Sequence, residues 1–229
     1  MKQRVGLFGQ GVRTPRAAAI AGIIFSLLMI TSMMLIRTSI PANPLEGAKD
    51  IVNHSRRIAL ALNLMPFAGI SFLWFVGVLR DRLGELEDRF FSTVFFGSAL
   101  LFLAMIFITG TLAGGIIRLL GSGFVNLMES GVYILGRIQI YQALHIYAIK
   151  MAGVFMISTS VISVRTGIVP RWMAFLGFTL ALMLLLAVQI VEWMLMVFPL
   201  WVLSISVYIL IDNFRGISAT AGASAVAKE

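Results

Sequence analysis

The sequence predicts an all-α protein, a polytopic bundle of about six transmembrane helices with one interfacial or re-entrant segment. Hydrophobic residues make up 59% of the 229 residues, charged residues make up only 12%, and the mean hydropathy is +0.97. A soluble domain typically carries about 25% charged residues, so this chain has too little polar surface to stay dissolved. Its apolar residues also fall in runs of about 20 or more, the length of a membrane-spanning helix.

A charged stretch separates two of these runs. Residues 80–89, RDRLGELEDR, hold seven charged side chains, whereas residues 58–79 and 90–117 on either side are mostly apolar. Each charge would cost about 2.5–3.5 kcal/mol at the centre of a membrane helix, so we expect the stretch to turn back in water. A solvated turn is the simpler interpretation. Docking of a cytoplasmic partner is the alternative, and its candidate residues are Arg80, Arg82, Glu85, Glu87, Asp88 and Arg89.

The first half of the chain begins with a basic tail over residues 1–16 and a first span over residues 17–36. That apolar run is longer than the roughly 7–15 residues of a signal peptide, and no small-x-small cleavage site follows it, so an uncleaved span is favoured. Residues 44–57 are expected to form a short amphipathic surface helix. The second span, 58–79, contains a proline that commonly kinks a helix, and the third, 90–117, is expected to tilt or break near residues 110–115.

In the second half, residues 124–138 mix apolar and polar side chains and are short for a span, which favours an interfacial or re-entrant helix. A fourth span is predicted over residues 139–163. Residues 172–210 are too long for one helix, so spans over 172–190 and 193–211 with a tight turn near 189–193 fit better. This gives six spans, and five is the main alternative, if residues 172–210 dock irregularly. The predicted membrane domain thus covers residues 17–211, and residues 212–229 form a flexible tail.

Lysine and arginine predict the orientation. With both termini in the cytoplasm, the inner segments hold eleven of these residues and the outer segments hold six. The excess favours cytoplasmic termini, because positive residues concentrate on the cytoplasmic side. Arg56 and Arg57 are an exception, because this orientation places the pair in an outer segment.

Several function classes are excluded or disfavoured. The chain has no cysteine, which excludes disulfides, thiolate catalysis and cysteine-ligated metals. Its net charge of +8 is spread between apolar runs and not gathered in one patch, so a nucleic-acid partner is not expected. No HExxH, GxSxG, Walker A or GxGxxG motif occurs in its needed context. The sequence therefore predicts no enzyme activity and no cofactor.

The candidate intramembrane polar site consists of four residues. An ionisable side chain within a span normally faces a partner or a water-filled cavity, and Lys150 falls within the fourth span. Its candidate counter-charges are Glu129, Asp212 and, preferred, Glu192. Three interpretations stay open: Lys150 reaches to the headgroups with its stem against the helix, it forms a buried structural pair, or it lines a pathway. The site is Lys150, His145, Glu192 and Asn63.

A second, weaker candidate is a metal-binding face. Glu46, Asp50 and His54 are four residues apart in turn, so a helix would place two carboxylates and an imidazole on one side. The simpler interpretation is an ordinary polar face in water. We therefore predict no metal.

Small and hydroxyl residues within the spans predict close helix packing. Gly110 and Gly114 form a GxxxG motif, and Ala18, Gly22 and Ser26 form a small-xxx-small series. Packing within one chain is the simpler interpretation, and self-association is the alternative. The hydroxyls of the fourth span are interpreted as packing groups that bond back to helix carbonyls; they are Ser158, Thr159, Ser160 and Ser163.

The block FLWFVGVLRDRLGELEDRFFSTVFFGSALLFLAMIF, residues 72–107, resembles a group of bacterial multi-pass membrane proteins that carry no assigned activity. The likeness covers the second and third spans with their charged turn. It implies a small integral protein of the bacterial inner membrane. It carries over no catalytic or binding residue.

Together these patterns predict a non-enzymatic inner-membrane protein, an accessory or scaffold subunit of a larger membrane complex. Its expected partners are the lipid bilayer and either that complex or a second copy of the chain. The alternative is a small transporter or channel that uses the polar residues of the second, fourth, fifth and sixth spans. A membrane-embedded enzyme acting on lipids or quinones is the third possibility.

Overall fold

The computed structural model describes residues 14–39, 54–83, 89–121, 131–167, 169–186 and 194–226, and the secondary structure in these ranges is helical. A π-helical turn, Gln142–Ala148, joins the fourth and fifth α-helices into one continuous rod. The α-helices in chain order are α1 Thr14–Ser39, α2 Ser55–Leu83, α3 Arg89–Gly121, α4 Gly131–Tyr141, α5 Ile149–Thr166, α6 Arg171–Leu186 and α7 Met194–Val226.

Five helical stretches in the described ranges are long and apolar enough to cross a membrane, which fits a membrane-spanning bundle. The fifth predicted span, 172–190, is shorter than expected, because α6 has 16 residues and a length of about 24 Å. The hydrocarbon core of a bilayer is about 30 Å thick. The predicted all-helical class is therefore confirmed, and the count of six spans is not. The five stretches are Arg16–Ser39, Ser55–Arg80, Phe90–Gly121, Gly131–Arg165 and Met194–Phe214.

Contacts between helices show an up-and-down arrangement. Ser32, in the second half of α1, donates a hydrogen bond to the carbonyl of Ala61 near the start of α2, at 2.8 Å. Arg16, near the start of α1, donates to the side-chain oxygen of Asn213 at the far end of the α7 span, at 2.9 Å. The start of α1 therefore lies beside the ends of α2 and α7, so both helices run antiparallel to α1.

The centre of the bundle is a layer of phenylalanine rings, one from each of the five long helical stretches. The Phe72 ring is surrounded by the other four, with centroid distances of 4.7 to 5.7 Å. Aromatic rings at these separations attract one another beyond the area they bury. The layer fills the middle of the bundle with side chains. Its members, each at most 4% exposed, are Phe25, Phe72, Phe102, Phe155 and Phe198.

The turn between α5 and α6 agrees with the sequence. Gly167 follows the last residue of α5 with φ of +69°, a left-handed conformation that favours glycine, and its N–H donates to the Ser163 carbonyl at 2.9 Å. Pro170 then precedes α6, where its carbonyl accepts from the Met173 N–H at 3.0 Å. The turn between these helices is therefore built by a glycine cap and a proline start.

Several helices begin or end at residues other than the predicted limits of the spans. Residues 131–138 do not form a separate interfacial helix: α4 begins at Gly131 and continues through the π turn into the span. Its buried Tyr133, and Gly136 facing Ile116 of α3, show why: this part of the helix packs on a neighbour. Residues 124–130 lie outside the described residues.

Of the two outcomes predicted for the third span, the break near residues 110–115 does not occur, because α3 runs continuously through Gly110–Gly115 to Gly121. At the end of the chain, α7 runs to Val226, 15 residues past the predicted end at 211. The predicted surface helix over residues 44–57 lies outside the described residues except for its last four, and Ser55–Arg57 belong to α2. The predicted turn near 189–193 also lies outside them.

Candidate functional site

The sequence-predicted lysine lies on the outer surface of the bundle. Lys150 is the second residue of α5 and is exposed, whereas Ala148, Ile149 and Ala152 around it are buried. It is not among the residues that line the groove between α2 and α3, the pocket that adjoins this groove at Arg56 and Arg57, or the small cavity beside Phe102. Its ammonium group therefore faces away from the core.

The π turn determines this orientation. The Ile149 N–H donates to the Leu144 carbonyl, five residues earlier, instead of the four of an α-helix. The inward-facing alanines follow this wider spacing, since Ala143 and Ala148 are both buried. In an uninterrupted α-helix the inward line from Ala143 would pass through residues 147 and 150. The extra residue of the π turn thus turns Lys150 from the inner face to the outer face.

Lys150 also lies deep along the helix. It precedes Phe155 of the central layer by five residues, about 7–8 Å along the axis. Among the side chains that the structure describes, Asp212 is the one carboxylate. Asp212 lies fourteen residues beyond Phe198 in the opposite direction, so it is about 28 Å from Lys150 along the bundle axis. Asp212 is therefore not its partner, and Glu192 and Glu129 lie outside the described residues.

Tyr141 and His145, four residues apart on the rod, are in contact. Their rings stack, with centroids 4.3 Å apart and an interplanar angle of 14°. His145 lies within the π turn and is half-buried, while Tyr141 is exposed. Single π turns occur frequently at functional sites, and this one presents His145 and Lys150 on the same helix within one and a half turns.

Asn63, the fourth predicted residue, lies elsewhere. It is exposed in an open groove of about 750 Å³ between α2 and α3, whose lining residues include Leu62, Asn63, Pro66, Gly110, Gly114 and Arg118. Lys150 and His145 do not line this groove. The structure therefore does not bring Asn63 together with the residues of the α4–α5 rod.

The charged turn is only partly described. Arg80 is exposed at the end of α2, and its guanidinium lies 4.9 Å from the centre of the Phe96 ring on α3. On the neighbouring rod, Arg165 makes a similar contact with Phe91 at 4.9 Å. Residues 84–88 and the side chains of Arg82 and Arg89 lie outside the described part, so partner docking at this loop stays a prediction.

The metal hypothesis is also largely outside the described ranges. His54 is half-buried at the turn before α2, but Glu46 and Asp50 are not described. In the described part of the chain, no three histidine, cysteine, aspartate or glutamate side chains come together as a metal site.

The hydroxyls of α5 follow the prediction in two cases. Ser158 donates to the Val154 carbonyl at 3.0 Å, and Thr159 donates to the Phe155 carbonyl at 2.8 Å, as packing hydroxyls do.

Ser160 behaves differently from its neighbours on α5. Its buried hydroxyl has no hydrogen-bond partner among the described residues, and neither does the buried indole nitrogen of Trp201 on α7. Both atoms lie against the α-carbon of Gly177 on α6. Sequence analysis missed this cluster because no spacing within one helix relates three residues on three helices.

No protein-family model matches the chain, and no curated protein and no solved structure matches it. The resemblance of residues 72–107 to bacterial multi-pass membrane proteins therefore stays a prediction.

Proposed function

We propose that this chain is a non-enzymatic accessory subunit of the bacterial inner membrane, which docks a larger membrane complex through the outer face of its α4–α5 rod. The observation that carries the proposal is the position of Lys150, exposed and close to the central phenylalanine layer. The predicted orientation, with both termini in the cytoplasm, belongs to the same proposal.

The physical argument concerns the environment of the ammonium group. A lysine at the centre of a membrane helix costs about 2.5–3.5 kcal/mol on insertion scales. Side chains in the described interior of the bundle do not offset this cost, because the π turn directs the Lys150 ammonium group outwards. A carboxylate on a transmembrane helix of a partner would offset it and would select that partner. The lysine thus serves as a docking residue.

The interior of the bundle supports this role better than the transporter alternative. Five buried phenylalanines close the axis of the bundle at its middle. The enclosed cavity beside them, lined by residues that include Phe102, Ala148 and Leu184, is apolar and about 10 Å³ in volume, too small to pass a solute. A transport pathway would need polar residues around a hydrated space.

Two experiments separate these roles. We expect the tagged chain, extracted from native membranes in mild detergent, to co-purify with a larger membrane complex that mass spectrometry identifies. A stable monomer with no membrane partner would contradict the proposal. In vesicles that contain the purified chain alone, we expect no solute flux above that of empty vesicles, and flux that Lys150→Leu abolishes would favour the transporter.

A further inference from the structure

The groove between α2 and α3 has walls that suit a flexible apolar chain. Gly110 and Gly114 form its floor on the α3 side, where a Cβ added at Gly110 would lie 3.4 Å from the Met65 sulfur and one at Gly114 would lie 3.8 Å from a Leu62 methyl. Neither glycine is fully covered. The glycines of the GxxxG motif thus face α2 side chains at ordinary contact distance, and these same residues line the open groove.

One end of this groove is strongly basic. Arg118 lines the groove one turn beyond Gly114, and Arg56 and Arg57 line an adjoining pocket that shares Ala59 and Asn63 with it. All three arginines are exposed. None forms an ion pair with a carboxylate in the described part of the chain, where Asp212 at the opposite end is the one such side chain.

The position of two of these cations is electrostatically unfavourable in isolation. Arg56 and Arg57 lie in the first turn of α2, which contains no acidic residue. The first turn of a helix already carries the positive end of the macrodipole. Two arginines at this position are repelled by that positive end. An anion bound between them and Arg118 is attracted by the helix end and by the three arginines. The same pair violates the positive-inside pattern of the chain, so topology does not explain it.

Polar groups also lie inside the groove, one to two turns deeper than the arginines. Asn63 is exposed there. Pro66 has no N–H, so the carbonyl of Leu62, four residues earlier, lacks its usual helical partner. The Asn63 side chain suits the ester region of a lipid at this depth, below its phosphate, because its N–H₂ group can donate to an ester carbonyl.

We propose that the groove binds one anionic phospholipid from the leaflet at the Ser55 end of the bundle. Its phosphate is held by Arg56, Arg57 and Arg118, and one acyl chain runs along Gly114 and Gly110 towards the bundle centre. The volume of about 750 Å³ lies within the range of small-molecule sites, about 300–1,000 Å³. Basic pockets between transmembrane helices bind lipid headgroups by this chemistry.

A second copy of the chain fits the groove less well. A two-fold dimer through the GxxxG face brings the same patch of both subunits together. Arg118 would then meet the other subunit's positive cluster, and this repulsion opposes the contact. Charge thus favours an anionic lipid over self-association.

The test is native mass spectrometry of the full chain, purified in mild detergent and given equal amounts of phosphatidylglycerol and phosphatidylcholine. We expect the wild type to retain one phosphatidylglycerol in preference to phosphatidylcholine. Each replacement among Arg56→Gln, Arg57→Gln and Arg118→Gln should lower that preference about five-fold, the contribution of one arginine near a lipid surface. Arg171→Gln, which removes an exposed charge at the other end of the bundle, should leave it unchanged.

Two further variants test the acyl-chain part and the rival occupant. Gly114→Leu should reduce retention of both lipids without changing the charge. Because the chain has no cysteine, Thr111→Cys provides a single thiol in the groove. A disulfide-linked dimer of this variant in membranes would overturn the proposal in favour of a second copy. Unchanged lipid preference in the three arginine variants would overturn it as well.

Discussion

The Phe72 ring of α2 lies 4.7 Å from the Phe25 ring of α1, and both side chains are completely buried. Phe72 also contacts Phe102, Phe155 and Phe198, so one side chain connects all five long helical stretches. Between helices in a membrane, van der Waals packing replaces the hydrophobic effect as the main attraction. The bundle therefore depends on the fit of this central layer.

Removing the central ring should destabilise the fold strongly. We expect Phe72→Ala to lower the free energy of unfolding by about 3 kcal/mol, since the cavity it leaves is surrounded by four other rings. Reversible unfolding in detergent micelles measures this value. The matched control is Leu73→Ala, whose side chain is 38% exposed; it should change stability by less than about 0.5 kcal/mol. Equal effects of the two variants would contradict the central role of Phe72.

The contact between Gly22 of α1 and Ser206 of α7 should tolerate no additional methyl group. A Cβ at Gly22 would overlap the Ser206 hydroxyl and lie 2.8 Å from the Phe75 ring. We expect Gly22→Ala to destabilise the protein by about 1–3 kcal/mol, and Ser206→Ala in the same chain to restore part of the loss. The double-mutant cycle, measured by unfolding, should give a coupling of at least about 0.5 kcal/mol.

The control for this cycle is Gly77→Ala, because a Cβ at Gly77 meets nothing within 4 Å. It should be neutral or stabilising by up to about 1 kcal/mol, the preference of a helix for alanine over glycine. If Gly22→Ala behaved like Gly77→Ala, the close approach of α1 and α7 would be refuted.

Two buried serines should respond oppositely to the same substitution. The Ser32 hydroxyl donates across helices to the Ala61 carbonyl at 2.8 Å, whereas the Ser160 hydroxyl has no partner among the described residues. We expect Ser32→Ala to cost about 0.5–1.5 kcal/mol, the usual value of such a bond. Ser160→Ala should be neutral or stabilising, because it removes an uncompensated buried polar group. A loss at Ser160 as large as that at Ser32 would indicate a bound group at Gly177.

The π turn should tolerate loss of one residue. Deleting Tyr147, which is 55% exposed, converts the turn to a regular α-helix while Ala143 and Ala148 stay on the inner face. We expect this variant to fold, with stability within about 1 kcal/mol of the wild type. Deletion of Leu101, 51% exposed in the regular helix α3, should prevent folding because it rotates half of that helix by about 100°. Size-exclusion chromatography in detergent distinguishes the two results.

Hydropathy predicted where the helices lie but not which faces pack together. The spans are apolar on all sides, so no amphipathic stripe marks the inward positions. The chain has 17 phenylalanines, and nothing local distinguishes Phe72, which is buried, from Phe67, which is 61% exposed. The central layer depends on contacts between helices that are distant in sequence.

The same limit explains the errors near the candidate site. Asn126, Glu129 and Arg137 made residues 124–138 look too polar for a span, but the Arg137 guanidinium lies over the ring of Tyr133 at 5.9 Å. The sequence identified Lys150 as an ionisable residue within a span. Its outward direction depends on the π turn, and no pattern in the sequence predicted that turn. The sequence did not predict the groove at Asn63, because its arginines come from the ends of two different helices and are distant in the chain.

The most direct test of the docking role is quantitative pull-down from native membranes with the wild type, Lys150→Arg, Lys150→Leu and Glu192→Gln. We predict that the wild type, the arginine variant and the glutamine variant recover the same membrane partner, which has an acidic residue within a span. Lys150→Leu should recover at least about tenfold less of it, a loss of about 1.4 kcal/mol or more. Undiminished recovery with Lys150→Leu, or an equal loss with Glu192→Gln, would contradict the account.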